Sequence, residues 1–254
     1  AAWDWKFLFL IIISTVVDFI AGKYIYSSKS PTTKKFALSI SVTVNLSILG
    51  FFKYFNFFTS ELISLFASIG IEASQYYLAV ILPVGISFYT FQTLSYSIDI
   101  YQQRLKPEKH FLNFAVFVAF FPQLVAGPIE RARNLLPQLA IANTASKSQM
   151  LEGISLITVG LFKKIYIADN LAKIVDPLYS SSAHLTASHV YVAAIAFAFQ
   201  ILADFSAYTD IARGTAKCLG LELMENFKNP YVSLNPQEFW RRWHISLSSW
   251  LRDY

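Results

Sequence analysis

Hydrophobic residues run through this chain in long blocks separated by short polar stretches. Blocks that approach the roughly 20 helical residues needed to cross about 30 Å of hydrocarbon occupy Phe7 to Ala21, Phe36 to Phe58, Tyr76 to Ile98, Ile154 to Ala168 and Val190 to Leu219. They predict an all-α, polytopic integral membrane protein with about five spanning helices. A further block, Phe111 to Ile129, carries Pro122, Gly127 and Pro128 in its second half. Helix propensity collapses there, and the block is expected to enter the membrane and turn back.

The polar stretches orient the blocks. Lys23 to Lys35 holds four lysines and no acid, which the positive-inside rule places in the cytoplasm. The stretch from Thr59 to Gln75 carries Glu61 and Glu72 without a cation and suits the outside, whereas Asp99 to His110, with Arg104, Lys106 and Lys109, returns inside. If Phe111 to Ile129 crossed fully, Arg131, Arg133 and Lys147 would fall outside and break the pattern; a re-entrant segment keeps them cytoplasmic. Ile154 to Ala168 then leads out, the loop with Asp169, Asp176, His184 and His189 faces outside, and Val190 to Leu219 leads back. The stretch from Glu222 to Glu238 is rich in Asn and Pro, and irregular backbone of that kind needs water, protein or a polar cavity around it. The whole of residues 1–254 reads as a single transmembrane domain, partial and truncated at both ends, since it opens on Ala1 and ends straight after its densest motif, without a helix stop or polar tail.

Composition agrees. Hydrophobic residues make up 55% and charged residues 15%, against roughly a quarter charged in soluble domains. The net charge of +5 lies in the polar stretches as an orientation signal, so nucleic-acid binding is not supported. The lone Cys218 excludes an intrachain disulfide and a cysteine metal site, and suits packing.

Ionisable side chains within apolar blocks cost about 2.5 to 3.5 kcal/mol at a helix centre and are functional candidates by default. Lys53, Lys163 and Lys164 are accounted for by stems that snorkel to the headgroups, and Asp18 and Asp99 by interface placement or helix pairing. Asp204 and Asp210 stand in A-D-F-S-A-Y-T-D with Ser206, Tyr208 and Thr209. Asp204, Tyr208 and Ile211 share a helical face, so a polar-lined inward surface is expected, either as a structural network or in chemistry.

Among four histidines, His184 and His189 suit a solvated loop and His110 an interface. His244 is set among Trp240, Arg241, Arg242 and Trp243. Cations and partial burial keep an imidazole neutral and able to accept a proton; a structural histidine in a packed turn is the other reading. No metal cluster, phosphate loop, H-E-x-x-H or G-x-S-x-G is present.

Six ordered motifs carry a resemblance: L-P-V-G-I-S-F-Y-T-F-Q (Leu82 to Gln92), F-F-P-Q-L-V-A-G-P-I (Phe120 to Ile129), G-L-F-K-K (Gly160 to Lys164), D-F-S-A-Y-T-D-I-A (Asp204 to Ala212), E-N-F-K-N-P-Y (Glu225 to Tyr231) and F-W-R-R-W-H-I-S-L-S-S-W-L-R-D-Y (Phe239 to Tyr254). Together they closely resemble the membrane-bound O-acyltransferase family, nearest its bacterial alginate O-acetyltransferase type. The resemblance implies helices around a central region with a cytoplasmic funnel. It also implies transfer of an acyl group, acetyl here, from a cytoplasmic donor such as acetyl-CoA towards an extracytoplasmic polysaccharide such as alginate, through partner proteins and without a bound cofactor. Relatives that take D-alanine from a carrier protein leave the donor open. His244 matches the family's histidine in the tryptophan-rich motif, while the histidine usually given the central role lies further downstream than this sequence reaches. Ala207 stands where glycine is usual.

The site expected on this basis has His244 as the catalytic base or relay, and a donor channel of Asp204, Ser206, Tyr208, Asp210, Asn226, Tyr231, Trp240, Arg241, Arg242 and Trp243. The two arginines would hold donor phosphates or bind lipid headgroups. The rival reading is a conduit that passes an acyl group or anion without chemistry.

Overall fold

The computed structural model describes residues 6–71, 83, 85–124, 127–141, 144–180 and 186–254. By packing, the chain falls into two units: residues 1–119 with 131–136, and residues 120–130 with 137–254. Every regular element among the described residues is helical.

The first unit is built from α1 (Lys6–Ser27), α2 (Pro31–Ser68), α3 (Ile86–Tyr101) and α4 (Phe111–Val118), with α6 (Ala132–Leu139) starting in it. Helices α1 and α2 are two of three among the described residues that are long and apolar enough to cross a membrane. Pro31, with its fixed φ and no N–H to satisfy, opens α2 at a favoured position. At 38 residues α2 outruns the expected block: the stretch foreseen as a loop from Thr59 is helical to Ser68, because Glu-Leu-Ile-Ser-Leu-Phe contains no breaker. The Tyr76 to Ile98 block lies partly outside the described residues; from Ile86 on it is α3.

Asp18 is fully buried where α1, α2 and α3 meet. Its carboxylate accepts from Ser41 Oγ at 2.5 Å and Asn45 Nδ2 at 2.8 Å, and Ser97 Oγ stands 3.4 Å away. Asn45 Oδ1 in turn accepts from Ser14 and Thr93. Asp18 thus pairs helices, one of its two expected roles. In the Phe111 to Ile129 block the helix breaks after Val118, resumes as α5 (Phe121–Leu124) and is irregular from Gly127. A Cβ on Gly127 would stand 2.4 Å from Gln123 Cα, so only glycine permits that turn. Its longest helix, α4, spans about 12 Å, too short to cross.

The second unit centres on α7 (Lys147–Phe162) against α9 (Ala187–Cys218), the third candidate span. Ser146 caps α7 in a capping box with Gln149. Small residues let the two helices touch backbone to backbone: a Cβ on Gly160 would lie 2.8 Å from the Ala207 carbonyl, and one on Gly214 2.5 Å from that of Gly153. Cys218 packs over Gly153, as expected. After Phe162 the helix widens into a π-helix (Lys163–Ala168) and continues as α8 (Asp169–Ser180). The buried positions run Gly153, Gly160, Ala168, Val175, with Ala168 one residue later than the preceding spacing of seven would put it. Asp169 and Asp176, foreseen in an outside loop, are therefore helical. His189 caps the start of α9 with Thr186, and His184 lies outside the described residues. The chain closes with α10 (Pro236–Arg242) and α11 (Ile245–Asp253).

Candidate functional site

Asn-Pro-Gln-Glu sets the start of α10: the Asn235 side chain accepts from Glu238 N at 2.8 Å, and Pro236 takes the first helical position. Glu238 returns a bond from Leu234 N and pairs with Arg242 at 2.5 Å. The Leu234 amide and the Arg242 guanidinium hold its carboxyl below the usual range. The helix ends at Trp243, and His244 takes a left-handed conformation, φ +41°, that turns the chain into α11.

That turn is braced by the segment after α9. Asn226, fully buried, accepts the Ile245 amide on its carbonyl and the Ser246 amide on Oδ1, both at 3.0 Å. Lys228 N donates to the Arg242 carbonyl at 3.0 Å. These bonds tie residues 226–228 beside residues 242–246. Since Oδ1 is committed to an N–H, the orientation of the Asn226 amide is fixed, and its Nδ2 has no partner among the described residues.

His244 is packed between rings. Phe205 meets it edge-on at 4.8 Å and Phe227 lies near-parallel at 6.4 Å. This burial pushes its pKa down to about 4, so the imidazole is neutral at neutral pH. Nδ1 faces Ser246 Oγ at 3.4 Å, and that oxygen accepts the Ile129 amide at 3.0 Å. Of the two causes expected, burial and neighbouring arginines, burial is the one that acts.

Beside this turn opens a cavity of about 490 Å³ between α9, the π-helix and residues 225–230. Ser206, Thr209, Asp210 and Arg213 line it from α9, Lys163 from the π-helix, and Glu225, Asn226 and Lys228 from the following segment. Charges are chained along its wall: Lys163 to Asp210 at 2.7 Å, Asp210 to Arg213 at 3.7 Å, Arg213 to Glu225 at 4.0 Å and Glu225 to Lys228 at 3.6 Å. Three cations against two carboxylates leave the wall positive. Among the described residues no three His, Cys, Asp or Glu side chains gather as a metal site requires.

Residues 103–254, which hold this cavity and the braced histidine turn, match the membrane-bound O-acyltransferase family. The chain belongs to that family. It is 40% identical to the probable alginate O-acetylase AlgI of Azotobacter vinelandii over 100% of its length and 50% of the relative's. It is 34% identical to the peptidoglycan O-acetyltransferase of Helicobacter pylori over 100% of its length and 52% of that protein's. With the teichoic acid D-alanyltransferase of Bacillus subtilis it shares 30% identity over 67% of this chain and 44% of the other. The chain spans about half the length of the curated acetylases it matches.

Seen as part of a membrane-bound O-acyltransferase, the expected site divides. Ser206, Asp210 and Asn226 line the cavity, while His244 stands behind Phe227, itself a lining residue. Asp204 and Tyr208 do not share a surface with Asp210. Six residues of helix turn through about 600°, which sets Asp204 and Asp210 roughly 120° apart. Asp204 instead meets Lys164 at 2.7 Å, and the Lys164 ammonium lies 5.4 Å from the Tyr208 ring. The two lysines thus do not merely snorkel; each binds an acid of α9. Tyr231 and Trp243 stack with Phe239 at 6.3 and 5.5 Å, and the Tyr231 hydroxyl donates to the Ala198 carbonyl at 2.6 Å. Trp240 is 55% exposed, Arg241 is exposed, and Arg242 is engaged by Glu238, so none of the three lines the cavity. Arg213, Glu225 and Lys228 were missed, although Arg213 three residues after Asp210 is a visible helical ion-pair spacing.

Proposed function

We propose that the polypeptide containing this chain is a multi-pass O-acyltransferase of a bacterial inner or plasma membrane, in which residues 1–254 form part of one transmembrane domain. It moves acetyl from a cytoplasmic thioester donor, acetyl-CoA, towards an extracytoplasmic polysaccharide such as alginate, with accepting partner proteins and no resident cofactor. The observation that carries the reading is the neutral, ring-packed His244 braced by Asn226 next to a positively lined cavity.

In the reaction, the acceptor oxygen attacks the thioester carbonyl carbon as its hydroxyl proton passes to a base. The carbon–sulfur bond then breaks, and the leaving thiolate recovers the proton. Ser246 Oγ has two lone pairs, one taken by the Ile129 amide. The other can take His244 Nδ1–H, which leaves Nε2 free as base or relay. Lys163, Arg213 and Lys228 suit donor phosphates better than Arg241 and Arg242 do, because they line the cavity. Rings pack around His244; exclusion of water there would disfavour hydrolysis and orient the carbonyl.

The test is transfer of labelled acetyl from acetyl-CoA by the full-length polypeptide with its neighbours in membranes. His244→Ala is expected to lower the rate at least a hundredfold with folding retained. Donor-independent movement of substrate without thioester cleavage would favour the conduit instead. Preference for a D-alanyl carrier over acetyl-CoA would move the chain towards the chemistry named for the Bacillus subtilis relative.

A further inference from the structure

A second hollow lies in the first unit. It is a groove of about 400 Å³ between the end of α1 and the start of α2. Val16, Ile20 and Tyr24 form one wall and Phe36 and Ile40 the other, each at helical spacing, while the small, buried Ala21 and Ala37 form the floor. From Val16 to Tyr24 it runs about 12 Å along the helix axis, a length and shape that take a linear hydrocarbon chain.

The groove ends at the α1–α2 turn, where the chemistry changes sign. Lys29, Lys34 and Lys35 stand there, and none forms an ion pair with the described residues. Helix α2 also begins without a side-chain cap: Ser30 makes no capping bond, so the Thr32 and Thr33 amides keep the free positions of a helix N-terminus. No lysine lines the trough itself, but its end at Tyr24 and Thr33 lies within a few residues of uncompensated cations and open N–H donors. A neutral lipid would fill the trough and leave the lysines unanswered, and a zwitterionic one brings a phosphate already offset by its own cation; an anionic headgroup answers both.

We propose that this groove is a binding site for an anionic phospholipid, with one acyl chain laid over Ala21 and Ala37 and the phosphate held at the start of α2 by Lys29 and Lys34.

The experiment uses delipidated full-length protein in mild detergent. Binding of dioleoylphosphatidylglycerol and of dioleoylphosphatidylcholine is measured by native mass spectrometry. The expected result is about tenfold tighter binding of the glycerol lipid, lost in K29Q/K34Q, with binding of the choline lipid unchanged by that variant. Ala37→Phe, which fills the floor, should reduce occupancy by both. Should that variant fail to fold, the charge variant decides. Equal binding of the two lipids, or a preference that survives K29Q/K34Q, overturns the proposal and returns the lysines to an orientation signal alone. Absence of any bound lipid overturns it too, as it would if another protein segment covered the groove.

Discussion

The side-chain oxygen of Asn226 accepts the amide of Ser246 at 3.0 Å, twenty residues away in sequence and two beyond the histidine. With the Ile245 amide on the Asn226 carbonyl, it fixes the backbone just after a left-handed residue, where strain would otherwise relax. Asn226→Ala leaves the buried Ser246 N–H unpaired and should cost about 1 to 3 kcal/mol, read as a lowered unfolding midpoint in detergent. Asn226→Asp keeps the acceptor and should retain the turn better than alanine does.

Ser246 is the next link. Its hydroxyl oxygen accepts the Ile129 amide, so Ser246→Ala orphans a buried donor, again at about 1 to 3 kcal/mol. If His244 uses Ser246 to set its tautomer, acetyl transfer should fall by more than the loss of folded protein explains. Activity per folded molecule, set against the unfolding midpoint, separates the two effects.

The depressed pKa of His244 makes a signed prediction. Folded, it titrates at about 4; unfolded, near the ordinary 6.5. Below about 6.5 the unfolded chain binds a proton that the folded chain refuses, so this group's contribution is complete above that pH and is lost as pH falls towards 4. Thermal unfolding across this window should show a steeper acid decline in the native protein than in His244→Gln. Equal slopes would mean the imidazole is solvated.

The seam between α7 and α9 is equally testable. A methyl group on Gly160 would lie 2.7 Å from the Ile211 side chain and 2.8 Å from the Ala207 carbonyl. Gly160→Ala must push the helices apart and should cost about 1 to 3 kcal/mol. Gly50, whose Cβ would meet nothing, provides the control: Gly50→Ala should be neutral or slightly stabilising.

Much of the architecture was legible because its cause is local. Long apolar blocks become helices whatever surrounds them, and Pro122, Gly127 and Pro128 break a helix without help from the rest of the fold. Block ends were less legible: α2 passes Phe58, and α8 fills part of a foreseen loop, because charged residues such as Glu61 and Asp169 do not stop a helix unless a breaker accompanies them. Ser206, Asp210 and Asn226, singled out by their polarity in apolar surroundings, line the cavity. Arg241 and Arg242, expected in the donor channel, do not line this cavity, because adjacency to His244 in sequence is not adjacency to the cavity. The partnering of Lys163 and Lys164 with α9 was hidden by a π-helix that the sequence does not announce.

That π-helix holds one residue more than the regular spiral needs, and the surplus works as a vernier. Between Gly160 and Ala168 the buried stripe skips a position, leaving Ile167 partly exposed, before the seven-residue step resumes at Val175. The inserted residue resets the phase, so α8 can present Val175 inward while Lys163 and Lys164 reach two different acids of α9. Excising one residue here would leave both ends of the hydrophobic stripe intact in composition yet out of step by about 100°, so that either the seam or the charge pairs, but not both, could mesh.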